Sequence, residues 1–338
     1  MRSELRMGVI GTGRIGNIHI GNIVNRISNA DIIVVSDPNL RAAEQSATRH
    51  KIPKFVANYT ELLANDEIDA VAICSASPTH PAIIKDAAAA GKHIFCEKPI
   101  GFELFEIDEA LAAVDEAGVK FQVGFNRRFD VNFRRVRDRV AAGDIGSPHI
   151  LRITSRDPEA PPPDYLAGWG GIFKETTIHD FDMARFIVES EVEKIYAAGG
   201  VLGYPQFADS NDLDTVVITL HFANGTLGTI DNGYQAVYGY DQRLEVYGSK
   251  GMVWVENERP DMHQYANAEG VYQAKPLYFI LDRYLESYRA EMQAFVDCVL
   301  NDTPTPVTGR DGREPIVLAI AAQKSYDEGR PINIGEIE

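Results

Sequence analysis

The groups in this 338-residue sequence that can do chemistry lie in two short motifs. Lys98 stands in FCEKP (95–99), directly after an apolar run. An ammonium there can stabilise the oxygen of an alcohol as its proton leaves, and Glu97 beside it can orient the lysine or a ribose. His179 lies at the start of IHDFDMAR (178–185), with Glu175 one helical turn before it. If one helix carries both, the two side chains share a face. The carboxylate would then hold the tautomer of an imidazole able to take or give protons near neutral pH. His179 is therefore the candidate proton acceptor and Lys98 its partner. Taken singly, Glu97-Lys98 would read as a surface turn before Pro99, and His179 as a buried cap on an apolar helix. His179, Asp180 and Asp182 could also be read as metal ligands, but no HExxH spacing or cysteine pair accompanies them, so no metal is expected.

A third motif says what such a pair would act with. GTGRIG (11–16) follows the apolar run MGVI and precedes a helical pattern. In that context Gly11 permits a tight turn, Gly13 lets the backbone approach a pyrophosphate, and Gly16 lets helix pack closely on strand. The N–H groups opening the helix point at the phosphates. The next strand-like run, DIIVVS, ends at Asp37, about 20 residues past Gly16, where a carboxylate binds both ribose hydroxyls and repels the extra phosphate of NADP. NAD is thus expected over NADP, although Arg14 could also meet a phosphate. Ile15, Ser75 and His80 complete the candidate dinucleotide contacts.

These residues need a frame. Up to about residue 125, apolar runs (LRMGVI, DIIVVS, AVAICSA, HIFC, FQVGF) alternate with helical patterns at 15–27, 40–50, 80–90 and 103–117. The alternation predicts an α/β fold, a doubly wound parallel sheet covered on both faces. Beyond residue 145 longer β-like segments follow, at 149–155, 194–201, 214–222, 225–232, 242–248 and 252–256, with a hairpin signal at Asn224-Gly225. They predict an α+β domain with a large open, mostly antiparallel sheet. The expected domains are 1–125 and 126–338, with the helices read at 283–300 and 314–327 able to pack back on the first. Pro161, Pro162 and Pro163 mark a loop.

Composition narrows the class. With 45% hydrophobic residues the chain can bury a large core, and a net charge of -16 without a Lys/Arg run argues against nucleic acid. No signal-peptide core or membrane-length apolar stretch is seen, and Cys74, Cys96 and Cys298 form no CxxC. A soluble, cytoplasmic protein with buried, unpaired cysteines is expected.

GTGRIG, FCEKP, VGFNRRFD (123–130), ITSRDPEAPPPDY (153–165), GGIF (170–173), IHDFDMARF (178–186) and YGYDQRLEVYGSKG (238–251) together resemble the inositol branch of the Gfo/Idh/MocA oxidoreductases. The likeness runs over nearly the whole chain. It implies a Rossmann domain followed by an open sheet that builds a homo-oligomer, a tetramer or a dimer. It also implies an ordered NAD reaction at an inositol ring carbon, with the family lysine and histidine falling on Lys98 and His179. By the same resemblance Arg127, Asp157, Tyr165 and Tyr240 contact a polyol, and the peptide before Pro99 is cis. Two departures stand out. Glu175 replaces the usual aspartate and Trp169 a usual serine, so the carboxylate moves outward by one methylene and a large planar surface is added near the reacting carbon. Both are counted as substrate contacts.

The activity implied is NAD-dependent oxidation of a secondary ring alcohol of myo-inositol to the ketone. The alternative is another cyclic polyol, sugar or glycoside. A nucleotide-binding sensor without chemistry is the reading from a different class, and the presence of both Lys98 and His179 speaks against it.

Overall fold

Strands whose apolar residues are consecutive must be buried on both faces, and the N-terminal runs follow that rule. In the computed structural model, which describes residues 4–162 and 170–337, the chain divides into two compact units. One comprises 1–129 with 286–314, the other 130–285 with 315–338.

The first unit begins with β1 (Leu5–Ile10), α1 (Arg14–Arg26), β2 (Ala30–Ser36), α2 (Leu40–His50), β3 (Lys54–Val56) and α3 (Tyr59–Leu63). It continues with β4 (Ala70–Ile73), α4 (His80–Ala89), β5 (His93–Glu97), α5 (Leu104–Ala117) and β6 (Phe121–Gly124). All six strands are parallel, in the order β3-β2-β1-β4-β5-β6. This is the doubly wound order, in which ligands bind beyond the carboxyl ends of the strands where the order reverses, here between β1 and β4. β3 and α3 were not anticipated, because three and five residues are too few to display a period.

The second unit holds α6 (Val131–Ala141), β7 (Pro148–Arg156), α7 (Gly171–Glu175), α8 (Ile178–Val188), β8 (Val192–Gly200) and α9 (Gln206–Asp209). After these come β9 (Thr215–Phe222), β10 (Leu227–Gly233), β11 (Asp241–Gly248), β12 (Gly251–Val255) and the small hairpin β13 (Gln264–Asn267) and β14 (Gly270–Gln273). The seven-stranded sheet runs β12-β11-β7-β10-β9-β8-β15, where β15 is Ile332–Asn333. It is antiparallel except for the β7–β10 pair. Alternation is clear: Val216, Ile218 and Leu220 of β9 are fully buried, whereas Val217 is half exposed. α6 packs on β11 and β12, and α8 on β7.

Two long helices, α10 (Ile280–Asn301) and α11 (Gly309–Glu328), contribute residues to both units. In the first unit Met292, Phe295 and Val296 of α10 are fully buried in one core with Met7, Ile20 and Phe95. α11 starts five residues before the apolar period suggested. Thr308 and Asp311 form a reciprocal cap, the Thr308 N–H donating to the Asp311 carboxylate at 2.8 Å and the Asp311 N–H to Thr308 Oγ1 at 3.4 Å.

Candidate active site

The turn from β1 into α1 is built by its glycines. Gly11 has φ +98°, and a Cβ there would lie 2.5 Å from the Cys74 carbonyl oxygen. At Gly16 a Cβ would lie 2.0 Å from the Gly11 carbonyl oxygen, so only glycine lets α1 start this close to the strand. Around Gly13, by contrast, no atom lies within 4 Å of such a position, which leaves the approach that a pyrophosphate needs. Gly13 and Arg14 are exposed and Ile15 is half-buried.

Asp37 follows β2. Its Oδ2 accepts from the Thr12 N–H at 2.9 Å and from Thr12 Oγ1 at 3.0 Å, and its Oδ1 accepts from the Asn39 N–H at 2.9 Å. The carboxylate is thus fixed beside the glycine turn and keeps lone pairs for ribose hydroxyls. The cradle fits an adenosine diphosphate moiety without a 2′-phosphate. Replacing Asp37 by Ser is expected to lower kcat/KM for NAD about tenfold and to raise that for NADP by a similar factor, because the repelling charge is gone. Steady-state rates with both nucleotides check it; an unchanged NADP/NAD ratio would refute the assignment.

Ser75, His80 and Lys98 gather at the same edge. The buried His80 ring lies between two backbone carbonyls, Nε2 at 3.1 Å from Ser75 O and Nδ1 at 2.7 Å from Pro99 O. It ties the loop after β4 to the turn after β5, which carries Lys98. Lys98 is half-buried, Glu97 is buried, and the Lys98–Pro99 peptide is cis. Burial, then the Glu97 charge, pushes the Cys74 and Cys96 thiols well up, so neither is a thiolate nucleophile. Arg127 is buried in a short 3-10 turn, Asn126–Phe129.

In the second unit the expectation that one helix carries Glu175 and His179 is corrected. α7 ends at Glu175 and α8 begins at Ile178. The Thr177 N–H bonds back five residues to Ile172 O at 2.8 Å, and the His179 and Asp180 N–H groups bond back only three, to Thr176 O and Thr177 O. This wide turn followed by a tight one breaks the 3.6-residue phase, so spacing alone does not put the two side chains on one face. Glu175 is half-buried and His179 buried.

What holds the His179 turn is Asn232 of β10. It accepts from Thr177 Oγ1 at 2.6 Å and donates to Asp180 Oδ2 at 2.7 Å and to Ser155 O at 3.2 Å, all in the interior. Thr176 and Tyr234 share a further hydroxyl contact at 2.6 Å. Asp157 follows β7 at the same end of the sheet. Its N–H donates to Gly233 O at 2.8 Å and its carbonyl accepts from the Ala236 N–H at 3.0 Å. Tyr240 precedes β11, whose Asp241 pairs with Arg156, and its ring meets Tyr284 edge-on at 6.0 Å. His179, Asp157 and Tyr240 therefore come to one edge of the second sheet from three elements. Tyr165 and Trp169 lie outside the described residues.

Sequence reasoning missed Thr12 and Asn232 as supporting residues and weighed Asp180 only as a metal ligand. Asn232 left a usable signal, a buried amide in a strand whose other inward positions are apolar.

The nucleotide cradle of the first unit, together with the following likenesses, makes the chain an NAD-dependent oxidoreductase acting on CH–OH groups. Residues 5–125 match the oxidoreductase family with an NAD-binding Rossmann fold, and residues 133–254 match the GFO/IDH/MocA C-terminal domain. The chain belongs to the Gfo/Idh/MocA oxidoreductases. It is 47% identical over its whole length to the uncharacterized oxidoreductase YrbE of Bacillus subtilis, covering 99% of that protein. To the myo-inositol 2-dehydrogenase of Thermotoga maritima it is 42% identical, over 98% of this chain and 99% of the other. The crystal structure of a scyllo-inositol dehydrogenase from Lactobacillus casei with NAD(H) and scyllo-inositol superposes with a TM-score of 0.92 at 28% identity, covering 98% and 99% of the two chains.

Proposed function

We propose that this protein is an inositol 2-dehydrogenase that oxidises a secondary ring alcohol of myo-inositol to the ketone. The observation that carries the reading is the gathering of His179, Asp157 and Tyr240 at one sheet edge, in a chain 42% identical to a myo-inositol 2-dehydrogenase. A ring with a hydroxyl on every carbon needs several polar groups converging in one pocket.

Bound NAD supplies the hydride acceptor. His179 takes the proton of the reacting hydroxyl, and the Lys98 ammonium donates a hydrogen bond to the oxygen as negative charge grows on it. Asp157, Tyr240, Arg127, Tyr165, Trp169 and Glu175 orient the remaining hydroxyls. Asn232 keeps His179 from drifting by fixing the residues on either side of it.

Glu175 favours a second reading within the same chemistry. Its extra methylene, at the end of α7 before the irregular turn, moves a carboxylate relative to an aspartate, and a scyllo-inositol, inositol derivative or pyranoside would meet it differently. NADH formation at 340 nm across myo-inositol, scyllo-inositol, D-chiro-inositol, glucose, xylose and methyl glucoside separates the two. Myo-inositol is expected to give the highest kcat/KM; turnover confined to a sugar or glycoside would replace the first reading by the second.

The exposed Val217, Tyr247 and Trp254 on the outer face of the second sheet support a homo-oligomer, a tetramer by family analogy. Three free, buried cysteines agree with a reducing, cytoplasmic setting.

A further inference from the structure

Behind Glu97, in the first unit, lies a buried group of ionisable side chains that the proposed reaction does not use. His19 of α1 and Glu291 of α10 have no exposed surface, and Glu97 at the end of β5 has almost none. His19 Nε2 donates to Glu97 Oε1 at 2.6 Å and lies 3.9 Å from Glu291 Oε1. Neither Glu291 oxygen has a hydrogen-bond partner, and neither has His19 Nδ1. On the sheet side the Gly124 backbone closes on the Glu97 carboxyl, since a Cβ at Gly124 would lie 3.1 Å from Glu97 Oε2.

Two ionised carboxylates flanking one imidazole in a dry pocket repel strongly, so the trio keeps a proton on one of them. Glu97 has a donor in His19 and Glu291 has none. The proton therefore sits on Glu291. Burial, and then the Glu97 charge, pushes the Glu291 carboxyl well up, in agreement. Among the described residues, the ionisable groups facing the trio include Cys74 after β4, Cys96 on β5 and Tyr288 on α10, whose ring meets His19 edge-on at 5.8 Å. Both thiols are held neutral by burial.

We propose that His19 is a positioning residue for the acid-base site: it fixes the Glu97 side chain at the end of β5, and with it the backbone from which Lys98 projects, and an uncharged Glu291 closes the pocket behind it as a wall. The inference rests on Lys98 being the group that acts on the hydroxyl. A Glu97 side chain held by one donor keeps the strand end that bears Lys98 in one conformation, whereas a second ionised carboxylate would compete for the His19 donor and turn Glu97 away.

Two variants test it. His19→Leu removes the donor and is expected to lower kcat about tenfold while KM for NAD and for the polyol stays within about threefold; His19→Gln, which keeps an N–H at similar reach, recovers part of the loss. Glu291→Gln tests the protonation without any substrate. A carboxyl whose pKa is raised on folding binds more protons folded than unfolded, so stability falls as pH climbs above the ordinary 4.5 of a glutamate. The melting temperature of Glu291→Gln minus that of the wild type is expected to grow by about 3 °C or more between pH 5.5 and 8.5. Parallel melting curves across that range would overturn the neutral wall, as would a stoichiometric metal in the purified wild type that Glu291→Gln releases. Full kcat in His19→Leu with an active wild type would overturn the positioning role. Inactivity of the wild type on every polyol would instead sink the proposed function, while leaving the pH arm readable.

Discussion

Lys98→Met is expected to reduce kcat for polyol oxidation by about 10²–10³-fold, the loss typical of removing one donor from a developing oxyanion. Methionine fills a similar length with apolar atoms, so the change removes charge and hydrogen bonding more than volume. Lys98 follows a strand whose Ile94, Phe95 and Cys96 are fully buried, and its turn is held by the His80 ring against Pro99 O. The backbone should therefore stay in place. NAD affinity, read by fluorescence titration, tells loss of chemistry from loss of cofactor. A fall in kcat of less than tenfold would remove Lys98 from the reaction.

His179→Ala is the second large effect. Loss of a general base costs about 10²–10⁴-fold, and a base leaves a signature in pH that a structural residue does not. An imidazole accepts a proton only when neutral, so kcat/KM of the wild type falls on the acid side as the imidazole takes up a proton. In His179→Ala the residual rate should lose that acid limb. A residual rate that keeps the limb would assign it to another group and leave His179 as the buried cap its apolar helix also allows. Far-UV circular dichroism guards against misfolding, since Thr177 and Asp180 keep their bonds to Asn232 in the variant.

Where the chemistry depends on backbone, the sequence was legible. GTGRIG specifies its turn because Gly11 and Gly16 have no alternative at those contacts, and the strand-end lysine and Asp37 follow from the sheet those runs must form. The order of strands in the second sheet was not legible, because alternation shows which residues face inward but not which strand is the neighbour. The one parallel pair, β7 with β10, joins strands some 70 residues apart, and it aligns Ser155 with Asn232 under the His179 turn. Helical spacing put Glu175 and His179 on one helix where the chain makes two, since the five-residue bond from Thr177 to Ile172 depends on tertiary packing that a periodic pattern cannot report. His19 and Glu291 looked like ordinary helix residues; only the fold brings positions 19, 97 and 291 together.

Met292, Phe295 and Val296 belong to the core of a nucleotide-binding unit whose other parts end at residue 129. On a ribosome adding about 5–20 residues per second, the nascent glycine turn would wait roughly 10–30 s between synthesis of its sheet and arrival of the helix that seals it. During that interval the second unit is made, and the faces of Phe95 and Ile20 meant for α10 stay uncovered.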